Sequence, residues 1–185
     1  MTTAESSAST NSPVAPGVQK ALAWIKLGPK RLLINGQWVE AVSGKTFDTS
    51  DPATEEKLAV VAEAVAADVD LAVKAARRAF EAPTWAGVSP HTRTRLLLKI
   101  ADAVEANAAE LAALETLDNG TPISQSVGRV AGAAEVFRYF AGWPTKILGT
   151  TNPTDRSRFI YLLREPMGVC GLINAWNVPG NYPPL

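Results

Sequence analysis

Alternation of apolar and polar residues near the start of the chain predicts short β-strands. Residues 32–39 predict a hairpin with Asn35-Gly36 as its turn, because this pair tolerates the positive φ angles of a two-residue turn. Residues 46–48 and 57–62 predict two further short strands. A strand-rich segment is therefore expected before the helical part of the chain.

Apolar residues then recur every three or four positions, which predicts amphipathic helices. The first helix is expected to have Asp68 as its N-cap and to be closed by Pro83. The second is expected to begin at Ser89, with Pro90 in its first turn. The positions expected to face the core are Val69, Ala72, Val73, Ala76, Phe80, Leu96, Leu97, Ile100 and Val104.

Capping signals divide the rest of the helical region. Asn107, with Glu110 three residues later, predicts that the second helix breaks and restarts. Gly120 is expected to end it. A third helix follows from Thr121-Pro122 to Gly142-Trp143-Pro144. The side chains expected on its apolar side are Val127, Val130, Ala134 and Phe137.

Two apolar runs near the end of the chain predict strands. Residues 158–163 predict an apolar strand that needs a partner. Residues 169–173 predict a strand buried on both faces, with Cys170 inside it as a small hydrophobe. This strand should open into a loop at Trp176-Asn177, and in open α/β sheets such loops bind ligands.

Asn177 is the candidate catalytic group of that loop. A rigidly held asparagine amide can direct its N–H donors at an oxygen that becomes negative during a reaction. It is not an acid, a base or a nucleophile, so it needs a reactive partner elsewhere. The alternative is purely structural, since Trp-Asn-x-Pro is also a strand-ending turn chosen for its dihedral angles.

Composition excludes several classes of protein. The chain has 185 residues, 46% hydrophobic and 19% charged, with 18 basic and 18 acidic side chains. This fits a globular protein and gives no electrostatic argument for nucleic acid or membrane partners. The single cysteine, Cys170, excludes an internal disulfide framework and favours a reducing, cytoplasmic location. Cys170 and the lone His91 build no metal site, and nothing brings them together as a catalytic dyad.

Three stretches, in order, resemble segments of NAD(P)-dependent aldehyde dehydrogenases. Residues 164–179, REPMGVCGLINAWNVP, resemble the family pattern Glu-Pro-x-Gly-Val-x-Gly followed by Pro-Trp-Asn-aromatic-Pro. Residues 114–122, LETLDNGTP, resemble its helix-ending ETLDNGKP, and residues 33–39 resemble its opening hairpin. The resemblance implies only the N-terminal portion of such an enzyme, because the family's catalytic cysteine and glutamate lie further downstream.

The resemblance also assigns roles to the final loop. Asn177 corresponds to the asparagine that, with a backbone N–H, holds the oxyanion of the thiohemiacetal. Asn174, Ala175, Trp176 and Asn177 correspond to the loop that contacts NAD or NADP. Asn174-Ala175 stands where an apolar residue and a proline are usual, and the resemblance ends after Pro179. No glycine-rich dinucleotide motif or Walker loop supports the cofactor independently.

The expected architecture is α/β, with a hairpin, helices and the first strand of a Rossmann-like cofactor domain, truncated. Residues 1–19 are expected to be a disordered tail, 20–150 part of the cofactor domain, 151–164 an oligomerisation arm, and 165–185 the start of the nucleotide-binding core. The function implied is oxidation of an aldehyde to a carboxylic acid in a homo-oligomer, with this chain inactive alone.

Two other interpretations of the sequence stay open. One is a non-enzymatic remnant that folds partly or associates with full-length subunits through residues 159–163. The other is an unrelated α+β binding domain, which would make all three motif matches accidental.

Overall fold

The computed structural model describes residues 15–180, which form six helices and six short strands. The helices are α1 Pro16–Ile25, α2 Ala66–Glu81, α3 Pro83–Ala86, α4 Pro90–Ala106, α5 Ala108–Asn119 and α6 Ile123–Ala141. The strands are β1 Leu32–Ile34, β2 Gln37–Val39, β3 Thr46–Ser50, β4 Lys57–Ala62, β5 Thr150–Asn152 and β6 Ile160–Leu162. Within these residues, every helix is too short or too polar to cross a bilayer.

Each strand pairs antiparallel with its neighbour in the chain, which gives three two-stranded sheets. The predicted hairpin is confirmed, with Leu32 opposite Val39 and a turn at Asn35 and Gly36, whose φ angles are 54° and 74°. The two further strands are confirmed as the pair β3–β4. Lys30 makes an isolated parallel bridge to Val61, which attaches the start of the hairpin to β4.

Most of the predicted helix ends are confirmed. The Ser89 side chain caps α4 by accepting a hydrogen bond from the Thr92 amide at 3.2 Å. Gly120 ends α5 in the left-handed conformation, with a φ of 77°. The break at Asn107 is also confirmed, but its side chain donates to the Ala103 carbonyl of α4 and so does not cap α5.

The prediction of Asp68 as an N-cap was wrong by one turn. Helix α2 begins at Ala66, and Asp68 is its third residue. The carboxylate of Asp68 reaches back to accept a hydrogen bond from the Val65 amide at 2.9 Å. A short acidic side chain near a helix start can bond to free backbone amides from the N-cap position or from the third helical position. The sequence pattern alone therefore did not distinguish these two positions.

The core lies between helices and is built mainly from alanine. Helix α6 packs against α4 and α5, and α1 packs against α5. A β-carbon on Gly17 would lie 2.6 Å from that of Ala109, which shows how closely α1 approaches α5. Small side chains permit this approach. The buried apolar residues are Ala21, Ile25, Ala41, Ala62, Ala75, Ala101, Ala112, Ala113, Val130, Ala133, Ala134 and Ala141.

Several larger side chains that were expected in the core are exposed. Val69 and Val73 of α2, Leu96 and Ile100 of α4, and Val127 of α6 all lie at the surface. Periodicity identified which face of each helix is apolar, but it did not show whether an element covers that face. No element among residues 15–180 covers these five positions.

Two predictions about the chain ends needed correction. Residues 16–19 belong to α1, so they are helical and not part of a disordered tail. Residues 1–14 and 181–185 lie outside the described residues. Residues 169–173 form no strand, and Leu172 and Ile173 are exposed. A strand needs a neighbour for its backbone hydrogen bonds, and no strand among the described residues lies beside this run. Cys170 is consequently exposed, not buried.

The predicted strand at 158–163 is confirmed in shorter form as β6. It pairs with β5, with Tyr161 opposite Thr151. Both strands are exposed along their whole length. Phe159 and Tyr161 contact each other, with ring centroids 5.8 Å apart.

Candidate functional site

The candidate site is the turn at residues 176–180, called here the Asn177 turn, which lies against α5 and α6. The Asn119 side chain, at the end of α5, donates a hydrogen bond to the Trp176 carbonyl at 2.6 Å. Arg129 of α6 donates from Nη1 to the Asn177 carbonyl at 3.3 Å. Two consecutive backbone carbonyls are therefore held by side chains from two different helices.

The chain reversal at Gly120 explains how these two helices meet at the turn. Because Gly120 adopts a left-handed conformation, α5 stops sharply and α6 runs back beside it. The same Nη1 of Arg129 lies 2.9 Å from Glu115 Oε1 and 2.8 Å from Thr121 Oγ1. The Thr121 hydroxyl donates to Asn119 Oδ1 at 2.5 Å. Glu115, Asn119, Thr121 and Arg129 thus form one hydrogen-bonded group, called here the anchoring group.

Glu115 is the most buried charged member of this group. Its side chain is 3% exposed, whereas that of Arg129 is 25% exposed. The Oε2 atom of Glu115 is buried without a hydrogen-bond partner among the described residues. A β-carbon on Gly180 would lie 2.5 Å from this Oε2, so the turn passes directly over the carboxylate.

The structure places the four predicted site residues together in an open segment. Ala175 is half-buried, and Asn174, Trp176 and Asn177 are exposed. The Asn177 side chain makes no hydrogen bond to any of residues 15–180, so its amide is not used to form the turn. This arrangement differs from a purely structural Asn-x-Pro turn, in which the asparagine side chain bonds to nearby backbone.

Two cavities among residues 15–180 lie away from this turn. One, of about 660 Å³, lies between the end of α1 and the first hairpin, beside Trp24, Lys30 and Trp38. The other, of about 360 Å³, lies beside Phe80 and Cys170. The Cys170 thiol donates weakly to the Gly168 carbonyl at 3.9 Å, and no hydrogen bond joins it to His91. Among residues 15–180, no three potential ligands are grouped to hold a metal ion.

Comparison of the chain with known protein families shows which family it belongs to. Residues 38–184 match the model named Aldehyde dehydrogenase family. The chain belongs to the aldehyde dehydrogenase family. The match continues beyond Pro179, where the motif resemblance was expected to end. Sequence motifs are short, and a whole-family comparison also uses the weaker pattern between and after them.

Individual relatives agree with this assignment. Aldehyde dehydrogenase family 2 member B4, mitochondrial, of Arabidopsis thaliana is 46% identical over 94% of this chain and 31% of that protein. Aldehyde dehydrogenase 1A1 of Gallus gallus is 42% identical over 95% of this chain and 35% of that protein. The chain therefore spans about a third of the length of these relatives, which is consistent with an N-terminal portion.

Solved structures show the same fold. The HpcC structure from Thermus thermophilus matches with a TM-score of 0.85 and 36% identity, over 91% of this chain and 32% of that one. The NAD+ complex of aldehyde dehydrogenase from Bacillus cereus matches with a TM-score of 0.74 and 44% identity, over 82% of this chain and 30% of that one. The mixed helix and strand architecture with small sheets is thus that of the matching part, about 30%, of these aldehyde dehydrogenase structures.

The loop exposes side chains whose chemistry fits a dinucleotide. Trp176 is 85% exposed and offers a flat apolar ring for stacking. The exposed amides of Asn174 and Asn177 offer hydrogen-bond donors and acceptors. The cofactor role of these residues stays a prediction, as does the catalytic role of Asn177.

Sequence reasoning missed the anchoring group. Glu115 and Asn119 lie inside the motif LETLDNGTP, which was interpreted only as a helix end. A usable signal was present, because Glu115 is a charged residue between Leu114 and Leu117 in an otherwise apolar part of α5. A buried carboxylate needs a cation, and such a position points to an ion pair.

Proposed function

We propose that this chain supplies the oxyanion-stabilising amide, Asn177, of an NAD(P)-dependent aldehyde dehydrogenase that oxidises an aldehyde to a carboxylic acid. The observation that supports the proposal is the contrast at residue 177. Its carbonyl accepts a hydrogen bond from Arg129, whereas its side-chain amide is exposed and bonded to none of residues 15–180. Family membership and the NAD+ complex of the Bacillus cereus relative support the cofactor type.

The family reaction explains why an amide is useful at this position. A cysteine thiolate supplied by the complete enzyme attacks the aldehyde carbon, a carbon–sulfur bond forms, and the carbonyl electron pair moves to oxygen. The Asn177 N–H donors stabilise the negative oxygen that results. A bound nicotinamide cofactor would supply the hydride acceptor, and loss of the hydride from the carbon of the cysteine adduct would leave a thioester. Water then releases the carboxylic acid from the thioester.

The same proposal makes this chain inactive by itself. Its one cysteine is Cys170, and the family's nucleophile and catalytic glutamate correspond to no residue of this chain. The Cys170 thiol is exposed and lies beside Phe80 in a separate cavity. We expect the purified chain to produce no NADH from aldehydes and to bind NAD weakly.

We further propose that the complete enzyme is a homo-oligomer that uses β6. This strand carries exposed apolar side chains, including Tyr161 and Leu162. Its pairing with β5 leaves one edge without a strand among the described residues. An exposed edge of this kind is a template for pairing with a strand of another chain. A cytoplasmic location remains part of the proposal, although two relatives are named as mitochondrial.

The test replaces Asn177 in an active hybrid, made by joining this chain to the remaining segments of the Bacillus cereus enzyme. Asn177→Ala should lower kcat by about 10²–10³, the typical effect of removing one oxyanion donor. The KM for NAD should change much less. Gln125→Ala is the matched control, because Gln125 also carries an amide side chain in an exposed position and lies on α6, outside the loop. An unchanged kcat for Asn177→Ala would contradict the proposal.

A further inference from the structure

The Asn177 turn is held by side chains that have no assigned role in the reaction. We propose that Arg129 and Glu115 are positioning residues that fix the backbone of Asn177, and that glycine is required at position 180 for the turn to lie over Glu115. This inference rests on the proposed function of Asn177, because it concerns how that amide is oriented.

The hydrogen-bond pattern is what fixes the orientation. Arg129 holds the Asn177 carbonyl at 3.3 Å, and Asn119 holds the preceding carbonyl, that of Trp176, at 2.6 Å. Restraining two consecutive peptide planes limits both backbone dihedral angles of the residue between them. The direction of the Asn177 side chain then follows from its backbone and a small set of rotamers.

Glu115 orients the guanidinium group of Arg129. Nη1 of Arg129 donates hydrogen bonds to Glu115 Oε1 at 2.9 Å and to Thr121 Oγ1 at 2.8 Å. Both distances are shorter than its distance to the Asn177 carbonyl in the turn. The Glu115 side chain is 3% exposed, so this ion pair is screened little by water. Glu115 and Thr121 therefore fix the guanidinium plane, and because Nη1 carries two hydrogens, the Asn177 carbonyl at 3.3 Å shares one of them as the longer arm of a bifurcated hydrogen bond.

Burial of the second carboxylate oxygen explains the requirement at position 180. Glu115 Oε2 has no hydrogen-bond partner among residues 15–180 and faces the turn. A β-carbon on residue 180 would lie 2.5 Å from it, closer than two such atoms approach. Glu115 Oε2 is the end of a flexible side chain, but Oε1 of the same carboxylate is bonded to Arg129, so moving the carboxylate aside strains the ion pair. A side chain at position 180 must instead lift the turn.

Nuclear magnetic resonance of the whole 185-residue chain tests this directly. The order parameter of the Asn177 backbone amide should fall in Gly180→Ala from a rigid value of about 0.85 towards about 0.6. Gly171→Ala is the matched control, because a β-carbon there meets no atom within 4 Å. Order in α5 and α6 should not change in either variant. Unchanged order at Asn177 in Gly180→Ala would overturn the proposal.

Arg129→Met tests the ion pair, and Glu115→Gln/Arg129→Met guards against misfolding caused by an unpaired buried carboxylate. Both variants should lower the order parameter of Asn177 while leaving α4 and α1 unchanged. The contrary result for the double variant is a fall in the order parameters of α5 and α6 as large as the fall at Asn177. That result would show that the pair has a general structural role, and it would overturn the proposal.

Kinetics of the hybrid enzyme separate this inference from the proposed function. Gly180→Ala should lower kcat by about tenfold or more and should add little to Asn177→Ala, because both act on one group. The KM for NAD should change less than kcat. If Asn177→Ala lowers kcat and Gly180→Ala does not, the positioning role is wrong and the oxyanion role stands. If Asn177→Ala has no effect on kcat, the oxyanion role itself is wrong.

Discussion

The carboxylate of Asp68 accepts a hydrogen bond from the backbone amide of Val42 at 2.9 Å, across a sequence separation of 26 residues. Its other oxygen accepts from the Val65 amide, also at 2.9 Å. Asp68 is 2% exposed. One side chain therefore both closes the first turn of α2 and attaches that helix to the loop after the first hairpin.

Replacing Asp68 should destabilise the chain substantially. In Asp68→Ala, the Val42 and Val65 amides lose their acceptor in a partly buried site, at about 1–3 kcal/mol for each unsatisfied group. We expect the free energy of unfolding to fall by about 2–4 kcal/mol in urea titrations. Asp70→Ala is the control, since Asp70 lies on the same helix and is exposed. Equal losses in the two variants would show that the acceptor role of Asp68 is unimportant.

Two glycines of the helical region should respond to alanine in opposite directions. Gly120 has a φ of 77°, and a β-carbon there would also lie 2.9 Å from Pro52. Gly120→Ala should therefore cost about 1–2 kcal/mol from the left-handed backbone alone. Gly128 lies inside α6 with open space around it, so Gly128→Ala should stabilise the chain by about 0.5–1 kcal/mol.

Thermal unfolding of both variants measures this difference. The melting temperature should decrease for Gly120→Ala and increase for Gly128→Ala, relative to the unchanged chain. A decrease in both variants would mean that the space beside Gly128 is occupied when the chain is in solution.

The ion pair between Glu105 of α4 and Arg138 of α6 should make a pH-dependent contribution to the stability of the chain. Hydrogen bonds from Arg138 to both oxygens of Glu105, at 2.5 and 2.6 Å, hold the pKa of that carboxyl below its usual range. A carboxyl with a lowered folded-state pKa contributes stability above its unfolded pKa, and that contribution is lost as the pH falls through the folded value. Glu105 should therefore stabilise the chain at pH 7 and contribute nothing in strong acid.

Glu105→Gln should accordingly flatten the pH dependence of unfolding. We expect the stability difference between pH 7 and pH 3, from urea titrations, to be smaller in Glu105→Gln than in the unchanged chain. Glu63→Gln is the control, because Glu63 is exposed and forms no ion pair among the described residues. A pH dependence that Glu105→Gln leaves intact would assign the acid sensitivity to other carboxyls.

The sequence predicted the turns, caps and helices well, but it predicted less well which helix faces are buried. Asn35-Gly36, Ser89 and Gly120 determine turns and caps through their own backbone preferences, so the sequence was sufficient for them. Val69 and Val73 carry a helical pattern, but their exposure depends on which other elements are present. Residues 169–173 have strand composition, and they form no strand because their hydrogen bonds require a neighbouring strand.

In the candidate site too, the sequence predicted what depends on local pattern and missed what depends on tertiary contacts. Asn177 was identified from a motif and from the chemistry of an amide. Glu115 and Arg129 were not, since their pairing depends on the sharp reversal at Gly120 that brings α6 alongside α5. Contacts between residues 14 or 48 positions apart are a product of tertiary structure, and one sequence without relatives does not display them.

The anchoring group has a consequence for synthesis on the ribosome. All four of its members precede the Asn177 turn in the chain, and they lie on α5, on α6 and in the short connection between these helices. Helices of this kind form quickly. We therefore expect the nascent chain to build the support for this amide before the amide itself is translated, so that the turn docks onto a finished surface as it emerges.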